Sequence, residues 1–200
     1  MKHQKADTRG RLLDAARDIF YNHGYQKATI QMIASEADAN IAAVNYHYGD
    51  KASLLAVVLS QELGEMRKSM PRISDNPKRP EKVLKDFVAW FFARYEEGSK
   101  VAPLLQEVSY GGDVFESMMN DVVRPETEAL SGILQALDPK SKMEDIQRRT
   151  VCLMALMVHS VRYTPLIPTM FADCQISDDA PSAWAKHITD VALNGMKKSA

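Results

Sequence analysis

Residues 28–54 read ATIQMIASEADANIAAVNYHYGDKASL, and this stretch decides the fold. Thr29 precedes an apolar-periodic run, so it is predicted to cap a short helix over residues 30–37. Ile33, Ala34 and Ala37 are small or apolar where that helix must press on a neighbour. Asp38-Ala39 then reads as a tight turn, because Asp tolerates the left-handed conformation better than most residues. Asn40 is predicted to cap a second short helix over residues 41–46 with small side chains at its front. A helix enters a major groove deeply only when its own side chains do not hold it off. Upstream, Leu12, Leu13, Ala16, Ile19 and Phe20 stripe a helix over residues 8–23, with Gly24 as its expected stop. Downstream, Asp50 is expected to cap a long helix carrying Leu54, Leu55, Val57, Val58, Leu63 and Met66. Three helices with a tight turn between the second and third have the pattern of a helix-turn-helix.

The rest of the chain is also helical in its periodicity, with no alternating strand pattern and no internal repeat. Residues 71–80 hold three prolines and read as a linker. A helix is expected over residues 81–97, and another begins near Val101 and breaks at Gly111-Gly112. Residues 113–137 are helical, with Pro125 either kinking the segment or splitting it in two. Residues 143–162 form a further helix, and residues 163–176, with Pro165 and Pro168, are irregular. The last helix opens near Pro181 and ends near Gly195, with Trp184, Ile188, Val191 and Ala192 on one stripe. The expected architecture is all-α. A three-helix DNA-binding domain occupies residues 1–51, and a helical bundle for dimerisation and effector binding occupies residues 52–200.

Composition narrows the function. The formal net charge is −1 over 200 residues, so any charge directed at nucleic acid must be local. Even there, Lys2, Lys5, Arg9, Arg11, Arg17, Lys27 and Lys51 face Asp7, Asp14, Asp18, Glu36, Asp38 and Asp50. Modest affinity per half-site follows, with dimerisation supplying the rest. Cys152 and Cys174 lie in no CxxC or Cys/His cluster, which argues against a metal site or a disulfide framework. No Gly-rich phosphate loop, GxSxG or HExxH is present, and the histidines are scattered, so no catalytic residues and no cofactor are expected. The N-terminus, Met1-Lys2-His3-Gln4-Lys5, has no apolar segment behind it, and no apolar run approaches the ~20 residues of a membrane span. A cytoplasmic protein without a membrane partner is expected.

The spacing Thr8-Arg9-x-x-Leu12-Leu13-x-Ala15-Ala16-x-x-x-Phe20-x-x-x-Gly24-Tyr25, then Ala28-Thr29-Ile30-x-x-Ile33-Ala34-x-x-Ala37, then Val44-Asn45-Tyr46-His47-Tyr48-x-Asp50-Lys51-x-x-Leu54 resembles the TetR family of repressors. The resemblance covers the first quarter of the chain. Asn45 stands where many members have Tyr, Asp38 where they usually have Gly, and Ala52 replaces a common acidic residue. Asn45-Tyr46-His47-Tyr48 is similar to the CecR-like branch, and the run from Glu107 through Phe115, Val123, Pro125, Leu130, Ile133 and Leu134 looks more weakly like that branch's C-terminal domain.

The resemblance implies roles. Thr29 would cap the second helix and offer its hydroxyl or amide to a phosphate, Tyr46 and His47 would lie near the DNA backbone, and Lys51 would grip a phosphate at the start of the fourth helix. Base reading would fall to Asn40, Ile41, Ala42 and Asn45, with Gln31 from the second helix. Arg9 and Arg11 would follow the backbone or enter the minor groove. The partner would be a palindromic operator in double-stranded DNA, bound by a homodimer formed through the last two long helices.

Within the C-terminal body, the run Val151 to Val158 is apolar almost all round and is expected to be buried on several sides, as core or against a partner chain. Trp90, Phe91, Tyr95, Phe115, Met118 and Met119, with Met154, Met157, His159 and Tyr163, are the candidates for lining a small-molecule effector pocket. Each competes with an ordinary core role. The expected protein is a regulator, a repressor released by its effector. An activator of the same fold, a helical adaptor and an enzyme are the alternatives.

Overall fold

A computed structural model describes residues 4–93, 113–163, 166–171, 173, 175–176 and 180–195. The described residues are helical with no strand. In chain order they form α1 (Gln4–Lys27), α2 (Ile30–Glu36), α3 (Ile41–Tyr48), α4 (Lys51–Lys68), a 3-10 turn (Ile73–Asp75), α5 (Pro80–Ala93), α6 (Asp113–Met118), a π-helical turn (Met119–Val123), α7 (Arg124–Leu137), α8 (Met143–Tyr163), α9 (Ile167–Met170) and α10 (Ala180–Gly195). They divide into two compact units, residues 1–68 with 99–124, and residues 69–98 with 125–200.

The first unit is built on the apolar stripe of α1. Leu12, Ala16 and Phe20 are fully buried against Ile33 of α2, Val44 of α3 and Leu54 and Val58 of α4. Burial of a Leu or Phe side chain contributes about 1.5–3 kcal/mol, so this cluster sets the angles among the four helices. Gly24 stops the first helical run as expected, with φ 73° and ψ 163°, a conformation open essentially to glycine alone, and a short helical turn beyond this kink carries α1 on to Lys27.

The interruption expected near Pro125 is a π turn, Met119–Val123, which divides the segment into α6 and α7. Proline has no N–H to donate to the carbonyl four residues back, which belongs to Asp121. That carbonyl accepts from Arg67 Nη1 of α4 instead, and Ser60 Oγ reaches Asp121 Oδ2 at 3.4 Å.

The second unit centres on α5, whose Leu84, Phe87, Val88, Phe91 and Phe92 are buried with Leu130, Ile133 and Leu134 of α7, Ile146, Leu153 and Met157 of α8, and Ile188 of α10. The proline-rich stretch expected to be a linker is seated on this core. Met70 is buried, Ile73 packs against the cluster, and a Cβ at Gly132 would lie 3.6 Å from Ile73 Cγ2. The buried hydroxyls of Thr150 and Thr189 donate to the carbonyls one turn back, Ile146 O at 2.8 Å and Ala185 O at 2.7 Å. For Thr189 this satisfies the hydroxyl within its own helix, while Thr150 Oγ1 also shares a 2.9 Å hydrogen bond with Ser131 Oγ of α7.

Of the two alternatives for the run Val151 to Val158, a central core helix is not what the chain forms, since the run is buried on one side only. Ile146, Thr150, Leu153 and Met157 repeat at helical spacing and face the core, while Val151, Leu156 and Val158 are 66%, 45% and 44% exposed. A strip of apolar side chains is thus left open along α8. On α10, Ile188 is buried as expected, but Val191 of the same stripe is exposed.

Candidate nucleic-acid interface

Both short helices are capped as their sequence predicts. Thr29 Oγ1 accepts from Met32 N at 3.1 Å, and Asn40 Oδ1 accepts from Ala43 N at 2.8 Å. Between them, Asp38 takes φ 47°, and Ala39 N donates to Ala34 O at 2.9 Å to close the turn. Asn40→Ala should cost about 1 kcal/mol of unfolding free energy, read from urea melts.

The faces of α3 divide cleanly. Val44 and Tyr48 are buried, and the Tyr48 hydroxyl donates to Arg9 O at 2.7 Å. Burial raises the Tyr48 pKa, which keeps the phenol protonated and able to donate. Ile41, Ala42, Asn45 and Tyr46 point outward, Ile41 being 47% and Tyr46 85% exposed. His47 is partly exposed, with its ring edge-on to Tyr46 at 5.0 Å between centroids. Gln31 is exposed on α2.

Several of the cations expected at a DNA backbone hold the fold. Arg11 Nε donates to Ala37 O at the end of α2, at 3.1 Å. The Arg9 guanidinium lies 5.7 Å from the Tyr48 ring centroid. Lys51 Nζ donates to Tyr25 O at 2.9 Å and Ala28 O at 3.0 Å, and stands 4.3 Å over the Tyr25 ring. Two of the three ammonium donors are therefore occupied. Arg17 pairs with Glu62 at 2.7 Å and with Asp14 at 2.8 Å.

Asp50 caps α4, accepting from Ser53 N at 2.7 Å, and this bond holds its carboxyl below the ordinary value of 3.8. A depressed folded value stabilises the protein above the ordinary one and loses that contribution as pH falls through the lowered value. An acid titration followed by circular dichroism should therefore show earlier unfolding of wild type than of Asp50→Asn, relative to each protein's stability at neutral pH. Asn is a comparable cap that does not titrate.

The expected effector residues are divided between the two units. Phe115, Met118 and Met119 belong to the first unit, where Met118 packs on the core cluster. Phe91 and Met157 are buried core of the second unit, and Met154 and Trp90 pack against that core. Tyr95 lies outside the described residues. Among the described residues of the ten, His159 and Tyr163 line the large apolar groove of the second unit, which has a volume of about 630 Å³ and runs from Cys152 and Leu156 of α8 to Ile167 of α9 and Trp184 of α10. Their rings are 5.6 Å apart. Periodicity shows which residues leave the solvent but not whether they face core or cavity, so sequence alone could not have separated these groups. Among the described residues, no cluster of His, Cys, Asp or Glu is arranged to hold a metal ion, and no helix is long and apolar enough to cross a membrane.

Residues 12–58 match the family model described as bacterial regulatory proteins, tetR family. Over those residues the chain is similar to TetR-family transcriptional regulators. It is 23% identical to the HTH-type transcriptional repressor NicS of Pseudomonas putida, over 98% of this chain and 95% of that one. It is also 28% identical to the HTH-type transcriptional activator FasR of Mycolicibacterium smegmatis, over 78% of this chain and 72% of that one. Among solved structures, the fatty acid degradation regulator FadR from Bacillus halodurans shares the fold, with a TM-score of 0.67 at 18% identity over 95% of this chain and 96% of that one. The likeness to NicS, and the fold shared with FadR, thus run along nearly the whole chain, through the helical body as well as the helix-turn-helix.

Proposed function

We propose that this chain is a TetR-family repressor that binds a palindromic operator as a homodimer and is released by a small-molecule effector. One observation carries the DNA-binding part. The outer face of α3 presents Ile41, Ala42, Asn45 and Tyr46 to solvent, while the caps and the buried inner face hold the helix rigid. A preorganised, protruding helix with small residues at its leading end suits a major groove. DNA reading falls within residues 1–51, with dimerisation and effector binding in the remainder. Among the relatives named above, one is a repressor and one an activator by name. The repressor reading follows the nearly full-length likeness to NicS, and the sequence Asn45-Tyr46-His47-Tyr48 favours the CecR-like branch.

Dimerisation is assigned to the open strip of α8 with α10. Cys152, Leu156, His159 and Tyr163 follow helical spacing along α8, and Val191 is exposed on α10 beside Leu156. A second copy docked over Leu156 would roof the apolar groove and convert it into an enclosed cavity. His159 and Tyr163 would then be polar groups in an apolar wall, which suits an apolar effector with one polar end. The effector releases DNA only through different affinities for two states of the dimer.

The test is selection from a random duplex library at near-physiological salt. An enriched palindrome is expected, with half-site centres one or more helical turns apart, a multiple of about 34 Å. A folded protein that retains no sequence preference, and whose DNA affinity does not fall with salt, would count against DNA reading and for a protein-binding adaptor. A ligand that binds the body tightly but leaves operator affinity unchanged would exclude that ligand as the effector.

A further inference from the structure

We infer that the operator half-site is A·T where α3 meets it, read through thymine methyl groups by Ile41 and Ala42 and through one adenine by Asn45. The inference rests on the DNA-binding reading above and specifies its chemistry.

Guanine is read best by a bidentate Arg or Lys, and α3 contains neither. The cations nearest the turn are engaged elsewhere. Arg11 holds the carbonyl that ends α2, and Lys51 is bonded to two carbonyls at the junction of α1 and α2. Two amides stand at the reading end. Asn40 has its Oδ1 committed to the helix cap at 2.8 Å, while Asn45 is exposed and takes no part in it. Asn45 can therefore set both its oxygen and its nitrogen against N6 and N7 of one adenine. Ile41 and Ala42 are exposed apolar groups one turn before it. In a major groove such groups find one apolar partner, the thymine C5-methyl. Tyr46 and the edge-on His47 follow Asn45 directly, in the C-terminal half of α3.

The test replaces thymine by uracil, position by position, in the duplex that selection enriches. Uracil keeps the pairing and removes only the methyl. Wild type should lose about fourfold in affinity for each contacted methyl, the worth of one buried methylene-sized group. Ile41→Ala, at an exposed site that leaves the fold intact, should bind thymine and uracil duplexes equally at the position Ile41 covers. Asn45→Ala should lose about tenfold of its preference for adenine at one position. An enriched half-site with G·C at the positions these two variants alter, or one indifferent to uracil throughout, would overturn this inference and leave the DNA-binding reading standing. Failure to enrich any duplex would overturn that reading, and this inference with it.

Discussion

Leu156→Glu should leave each chain folded and convert the dimer to monomer, with operator affinity falling at least a hundredfold. Leu156 is 45% exposed on the single chain, so a carboxylate there meets solvent and changes chain stability by no more than about 0.5 kcal/mol. In a two-fold dimer the same position is buried, and symmetry places the substitution in the interface twice. An unpaired charge withdrawn from water costs several kcal/mol, enough to separate the chains at micromolar concentration. Half-sites held by separate monomers lose the effective concentration that pairing provides. Light scattering reads the mass, urea unfolding the stability, and titration of the selected operator the affinity. A variant that remains a dimer would move the interface off the α8 strip.

The second large effect concerns Lys51. The family resemblance makes this residue a phosphate contact, and the structure gives its ammonium two backbone carbonyls and an aromatic face. Lys51→Met should therefore lower stability by about 2 kcal/mol, since a charge-assisted hydrogen bond contributes roughly 1.5–3 kcal/mol and methionine fills the space without donating. Operator affinity should fall as well, because the carbonyl of Ala28 immediately precedes the cap of α2. The salt dependence is the discriminating quantity. A lost phosphate contact reduces the slope of log affinity against log salt by about 0.9, whereas a lost structural tie leaves it unchanged. We expect an unchanged slope. A slope reduced by that amount, with stability intact, would return Lys51 to the DNA.

What could be read in the sequence was local. A cap acts over three residues and a left-handed turn over one, so Thr29, Asp38, Asn40 and Asp50 were recognisable from their neighbours. The tertiary partners of Arg11 and Lys51 lie 26 and 23 residues away and leave no periodic trace. Around α8 the sequence left core and partner interface undivided for a related reason. Apolar character all round a helix predicts removal from water, and the single chain covers only the face of Ile146, Thr150, Leu153 and Met157. The proline-rich stretch misled because composition shows that helix is broken, not whether the chain that breaks it is anchored. Met70 and Ile73 anchor it. Pro125 announced an irregularity, but not that Arg67, 54 residues from Asp121, donates to the carbonyl that proline leaves without its N–H.

The division of α3 into an anchored face and a reading face bears on how such a regulator changes over generations. Val44, Tyr48 and the cap at Asn40 keep the helix in place, and none of these duties falls on Ile41, Ala42, Asn45 or Tyr46. On the proposed reading, mutations at those four positions alter which promoter is recognised at little risk to the fold. A duplicated copy of the gene could therefore acquire a new target while inheriting its parent's stability unchanged.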